Sequence, residues 1–215
     1  MASSHDLSRL QREVLIALCT REPGFFLSGG AALVGFHLHH RETLDLDLFT
    51  LDPDVFARAG RLPREVAAAI GASVEDRQAA AGFRRSAFTQ GEESVIVDLV
   101  LERVAQLHPE KPIVDGIPVD PPDEILANKL CAIVGRTEER DLVDVMMLER
   151  SGLRIEDVLS AALEKDGACT PANLAWLLSE VQIPESAVLP ADVSGRELGE
   201  YLAQLIVRLR RAALP

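Results

Sequence analysis

Residues 44–49 alternate as Leu44-Asp45-Leu46-Asp47-Leu48-Phe49. A two-residue period marks a β-strand with one dry and one wet face. It puts the leucines on the first and Asp45 and Asp47 on the second. Two carboxylates at that spacing are roughly 6–7 Å apart at their Cα atoms, given the rise of an extended chain. Their side chains can converge on a hard cation such as Mg²⁺, which takes oxygen ligands. Exposed strand faces often carry carboxylates, so the pair alone does not specify a site. The order of elements around it does more. The apolar run Phe25-Phe26-Leu27 enters a small-residue turn, Ser28-Gly29-Gly30, and a helix-like stretch then leads to the acidic strand. Free N–H groups at a helix start suit phosphate. Together these features point to a site for a nucleoside triphosphate and its metal, Mg²⁺ or Mn²⁺.

A third carboxylate lies in Val95-Ile96-Val97-Asp98-Leu99-Val100. Acids are almost never buried unpaired. Asp98 therefore belongs at a strand end or in a site; the alternative is an edge-strand charge that blocks aggregation. A second constellation occupies residues 123–148. There Lys129 and Arg136 share one helical face, and Arg140 and Asp144 share another. Lys129 lies among Leu126, Leu130 and Ile133, so it either snorkels or points into a cleft. Glu138, Glu139, Arg140 and Asp141 also suit a solvated helix pair laced with salt bridges.

The first segment, with its Gly-Gly turn, its acidic-x-acidic strand and a later strand carboxylate, resembles the nucleotidyltransferase superfamily typified by DNA polymerase beta. Two further patterns narrow this. His40-Arg41-x-Thr43-x-Asp45-x-Asp47, and Lys129 followed by Arg136 and Arg140-Asp141-x-x-Asp144, are similar to the AbiEii/AbiGii toxin nucleotidyltransferases. The resemblance covers roughly residues 23–150. It implies transfer of a nucleoside monophosphate from a nucleoside triphosphate to an acceptor. Asp45, Asp47 and Asp98 would hold the metal, and Asp98 could instead activate the acceptor hydroxyl. Ser28, Gly29 and Gly30 would cradle the triphosphate. Arg41 and Lys129 would neutralise charge on the phosphates. Asp144, assigned by the resemblance and not by spacing, would position Lys129 or the acceptor. The implied setting is a toxin–antitoxin or phage-defence system, with an antitoxin encoded nearby and transfer RNA among the acceptors.

The net charge of −12 argues against a broad grip on a polyanion. Basic clusters at Arg84-Arg85 and Arg208-Leu209-Arg210-Arg211 leave a local RNA contact open, although the second also suits a helix C-terminus. The acidic balance keeps a second enzyme reading alive, transfer to a cationic small molecule as in aminoglycoside nucleotidyltransferases. A third reading is a nucleotide-binding protein without turnover. No run is long enough for a membrane span, and the first residues, MetAlaSerSerHisAspLeuSer, lack the pattern of a signal peptide. Cys19, Cys131 and Cys169 are widely spaced and odd in number, as expected of buried thiols in a reducing cytoplasm. His37 and His40 would share a face if helical, but no acid or thiol is arranged around them for a metal, which leaves a structural or phosphate-contacting role.

Turn and cap signals divide the chain near Pro121-Pro122. The expected fold is α+β: residues 1–120 form a nucleotidyltransferase-like core with a mixed sheet flanked by helices, and 121–215 a helical domain packing against it, with the ligand in a cleft between them. A helix is expected within 5–19, with Leu7, Leu10, Val14 and Leu18 inward. Strands are expected at 25–28 and 44–50, separated by a helix at 30–39. A helix at 63–71 precedes strands at 73–78, 83–89 and 94–100, the last two joined near Gln90-Gly91-Glu92. Asp115-Gly116 turns a hairpin. Thr170-Pro171 and Ser194-x-x-Glu197 open two later helices.

Overall fold

The computed structural model describes residues 6–214. The expectation about the extreme N-terminus falls largely on residues 1–5, outside the described part. The fold is mixed α+β, as expected, with a five-stranded mixed sheet and flanking helices. The chain forms two compact units, residues 1–103 with 110–121, and residues 104–109 with 122–215.

The first unit opens with α1 (Arg9–Arg21). Its capping box is closed by Ser8 and Gln11, each side chain bonding the other's backbone N–H. Leu7, Leu10, Val14 and Leu18 are buried along one stripe. β1 (Phe26–Ser28) leads into α2 (Gly29–Ala32), which continues as a π-helical turn, Leu33–His37. The helix expected to reach residue 39 therefore ends early. Leu38 N–H bonds the Leu33 carbonyl at 2.7 Å, and His39 turns left-handed at φ 50°. His37 and His40 consequently do not share a helical face. His37 Nε2 instead donates to the Asp120 carbonyl at 2.8 Å, and burial holds the ring's pKa below its ordinary value.

After β2 (Asp45–Thr50) comes α3 (Pro53–Arg58), a helix absent from the sequence-based expectation. Six residues are too few to show a period, yet the start signal is present: Asp52 caps Asp54 N–H at 2.8 Å and Pro53 follows it. Next are α4 (Leu62–Ile70), β3 (Ser73–Ala80), β4 (Phe83–Gln90), β5 (Glu93–Leu101), β6 (Ile113–Val114) and β7 (Ile117–Pro118). β6 and β7 form the expected hairpin. Asp115 and Gly116 both have positive φ, as its two-residue turn requires.

The sheet order is β1-β2-β5-β4-β3, with β2 parallel to β5 and the other neighbours antiparallel. In register, Leu46 faces Val97 and Leu48 faces Leu99. All four are essentially inaccessible, and α1 and α3 pack against β5. Removing a leucine of this kind from water is worth about 1.5–3 kcal/mol. That gain, repeated along β2 and β5, sets which face points inward. A one-residue slip would bury the acids and expose the leucines.

The second unit is helical: α5 (Pro122–Gly135), α6 (Glu139–Arg150), α7 (Ile155–Lys165), α8 (Pro171–Ser179) and α9 (Gly195–Ala212). Thr170 caps α8 and Pro171 is its first residue. Ser194 caps α9 through Glu197 N–H, while the Glu197 carboxylate reaches Arg150 at 2.7 Å. The stripe Leu198, Leu202, Leu205 and Leu209 is buried, as expected. Buried Lys165 pairs with buried Glu124 at 2.6 Å and donates to the Ala105 carbonyl, which ties the 104–109 segment to α5. Cys131 and Cys169 are far apart in sequence, but their sulfurs lie 3.6 Å apart as free thiols.

Arg208 is not simply a C-terminal charge on α9. Its guanidinium bonds Glu149 and Glu156 together. Hydrogen bonding to Arg208 holds the Glu156 carboxyl down at about 2, against an ordinary 4.5. A carboxyl depressed on folding adds stability above its unfolded pKa, and that stability is lost as pH falls through the folded value. Arg208→Ala should therefore lower stability at neutral pH and flatten its decline between pH 4.5 and about 2. Urea melts at stepped pH measure both effects.

Candidate active site

The wet face of the sheet gathers most of the residues singled out in the sequence. Ser28 on β1 is in register with Asp47 on β2, Asp47 with Asp98 on β5, and Asp98 with Arg85 on β4. These four make one row across the sheet. Asp45 lies two residues before Asp47 on the same face, and neighbouring strands are about 4.8 Å apart. The three carboxylates thus share one patch. Asp45 and Asp47 are half-buried, and the Asp98 side chain is 7% exposed.

Each acid has its own support. The Thr43 hydroxyl donates to Asp45 Oδ1 at 3.0 Å, and Gln11 fixes the Thr43 carbonyl at 2.8 Å. Asp47 lies against the glycine turn. Gly29 has φ +64°, and a Cβ there would sit 2.9 Å from Asp47 Oδ2. A Cβ on Gly30 would sit 2.7 Å from Arg41 Nη2, so the buried Arg41 guanidinium packs directly over the turn. Arg41 also donates to the Glu42 carbonyl at 2.8 Å. Ser28 precedes α2 without a side-chain capping bond. Gly29→Ala is expected to cost roughly 1–2 kcal/mol from the left-handed backbone and to displace the Asp47 carboxylate. A urea melt, paired with nucleotide titration calorimetry, checks both consequences.

Asp98 is held by a residue that the sequence reading placed only in a basic cluster open to RNA. Arg85 Nε and Nη2 donate to its two carboxylate oxygens at 2.8 and 2.6 Å. The bond to Asp98 pushes the Arg85 pKa above its ordinary value, and the charges of Asp47 and Asp45 act in the same direction. Asp98 is thus neither an edge charge, since β5 is the middle strand, nor unpaired. The other arginine of the pair, Arg84, lies over the Phe56 ring at 5.3 Å.

The donor set of the patch fits a divalent cation. Asp45 and Asp47 are half-buried carboxylates on one face, and the absence of a Cβ at Gly29 leaves room for the Asp47 carboxylate beside the turn. Among the described residues no cluster of three or more His, Cys, Asp and Glu side chains forms a metal cage. A nucleotide site does not require one, because Mg²⁺ bound by one or two carboxylates takes further oxygens from phosphate.

Lys129 and Asp144 belong to the second unit and are brought together there. Lys129 Nζ lies 2.7 Å from Asp144 Oδ2 on α6 and 2.6 Å from Asp141 Oδ1. The lysine residue is 8% exposed, and both aspartates are essentially inaccessible. Lys129 therefore does not snorkel, and Asp141 is no surface residue. The expected surface pairing applies only to its neighbours: Arg140 binds Glu138 at 2.7 Å. Asp141 and Asp144, three apart on a helix, were legible as a pair. The pairing of Lys129 with Asp144 was implied by the family resemblance, whereas its bond to Asp141 was not foreseen.

A family model that covers most of the chain makes it a nucleotidyltransferase, a class that the carboxylates across the parallel β2–β5 pair fit. The family model of the AbiEii nucleotidyl transferase toxin, type IV toxin–antitoxin system, matches residues 14–198, and the chain belongs to that family. The fold is similar to a crystal structure of a protein from H. pylori described as a "putative nucleotidyltransferase". That likeness has a TM-score of 0.57 and 18% identity over 95% of this chain and 98% of the other. It is also similar to JHP933 from Helicobacter pylori, with a TM-score of 0.57 and 17% identity over 94% and 91% of the two chains. A search of the curated proteins found no significant match. No helix among the described residues is long and apolar enough to cross a membrane.

Proposed function

We propose that the protein transfers a nucleoside monophosphate from a nucleoside triphosphate to an acceptor, with pyrophosphate as the leaving group, and acts in the cytoplasm as the toxin of a toxin–antitoxin pair. The observation that carries this reading is the row Ser28–Asp47–Asp98 beside Asp45, closed at one end by the Gly29-Gly30 turn. Asp45, Asp47 and Asp98 would hold Mg²⁺ or Mn²⁺. When bound, the metal supplies charge stabilisation on the phosphates and a template for in-line attack. Thr43 keeps the Asp45 carboxylate turned toward the patch. Ser28 and the backbone of Gly29 and Gly30 bind the triphosphate, and Arg41 adds positive charge beside the turn. The role of Lys129 on phosphate charge, with Asp144 positioning it, is carried only by the family resemblance; the lysine is buried between Asp144 and Asp141 in the second unit.

The acceptor is proposed to be RNA, transfer RNA included, on the strength of the family. The test is incubation of the full chain with each labelled nucleoside triphosphate, Mg²⁺ and total RNA. Label in RNA supports the reading. Label only in small cationic compounds favours the aminoglycoside-like alternative. Tight nucleotide binding with no transfer to any acceptor would favour a binding protein.

A further inference from the structure

We propose that Arg85 is a further active-site residue: an exchangeable counter-ion that holds Asp98 in place and competes with the metal for its carboxylate. The inference rests on the proposed role of Asp98 as a metal ligand. Three carboxylates on one sheet face repel one another, and a nearly inaccessible one needs a cation or several hydrogen bonds. Arg85 meets that need from the neighbouring strand, directly in register with Asp98. Its fork takes up both carboxylate oxygens, at 2.8 and 2.6 Å.

The two partners differ in exposure. The Asp98 side chain is 7% exposed and fixed in the middle strand, whereas the Arg85 side chain is 44% exposed. The arginine can therefore swing away through solvent, while the carboxylate stays on the patch. Only the Nε and Nη2 edge of the guanidinium faces Asp98, and the Arg85 group also lies 5.6 Å from the Phe83 ring. A cation bound at the patch would take over the charge balance that Arg85 supplies to Asp98. Arg85 is thus a positioning residue for Asp98 whose place a metal can take.

The test uses Mn²⁺ alone, titrated by calorimetry and by electron paramagnetic resonance into the full-length protein and its Arg85→Met, Arg85→Lys and Asp98→Asn variants. Freeing a carboxylate from a partly exposed ion pair should tighten Mn²⁺ binding about two- to fivefold in Arg85→Met. Arg85→Lys, which keeps the charge but loses the fork, should show a smaller gain and serves if Arg85→Met does not fold. Asp98→Asn should bind Mn²⁺ more weakly than the parent. In Arg85→Met, Mn²⁺ should also raise the melting temperature more than it does in the parent. Unchanged or weaker Mn²⁺ binding in both Arg85 variants, with Asp98→Asn still weakened, would overturn the counter-ion role and leave Asp98 a ligand. Unchanged binding in Asp98→Asn would remove Asp98 from the metal site, and the counter-ion role with it.

Discussion

Asp45→Asn is expected to lower nucleotide transfer by roughly 10²–10³-fold, the scale of losing a group that acts on transition-state charge, while the protein stays folded. Asp45 is half-buried, and its carboxylate bonds Thr43, an interaction that an asparagine oxygen preserves. Removing one of the like charges on the patch relieves repulsion, so the melting temperature should hold or rise. Transfer kinetics and a thermal melt on the same preparation check the two halves. A large fall in melting temperature with little loss of rate would identify Asp45 as a structural residue.

Lys129 carries the second large effect, and here stability changes first. Lys129→Ala would leave Asp141 and Asp144 buried without their shared cation. Breaking a buried ion pair from one side costs about 3–5 kcal/mol, a large part of the ~5–15 kcal/mol that holds an ordinary domain together. Loss of transfer or of toxicity in Lys129→Ala is therefore expected for reasons of folding alone. The informative variant replaces the whole group, with Lys129→Met, Asp141→Asn and Asp144→Asn together. Exchanging a buried ionic cluster for neutral groups is often close to neutral for stability. Urea melts should show stability largely regained. If transfer stays absent in that folded variant, the group acts in the reaction; if transfer returns, its role is structural.

Much of the acidic face was legible in the sequence because a strand's period is local. Asp45 to Phe49 state their own faces, and Leu46 and Leu48 could go nowhere but inward; Leu44, expected on the same dry face, precedes the strand and is 79% exposed. The caps of α1, α8 and α9 and the Asp115-Gly116 turn were legible for the same reason, since each is satisfied within a few residues. The Arg85–Asp98 pair lay within reach: a two-residue turn at Gly91-Glu92 pairs Gln90 with Glu93 and, counting back, Arg85 with Asp98. α3 gave too short a pattern to be seen, and the π-helical turn at Leu33–His37 has no local signal that separates it from an α-helix.

By itself, then, the sequence determined the alternation of β2, the glycine turn before it, the caps, and the motifs that place the chain in its family. Only the tertiary structure decided which charges meet. The parallel pairing of β2 with β5 puts Asp47 beside Asp98 across a long crossover. The packing of α5 on α6 turns Lys129 from a candidate surface or cleft residue into the shared cation of two buried aspartates. The reason is physical. Backbone period and capping are satisfied by neighbours in sequence. A buried charge must find its partner wherever the hydrophobic packing of separate elements happens to bring one.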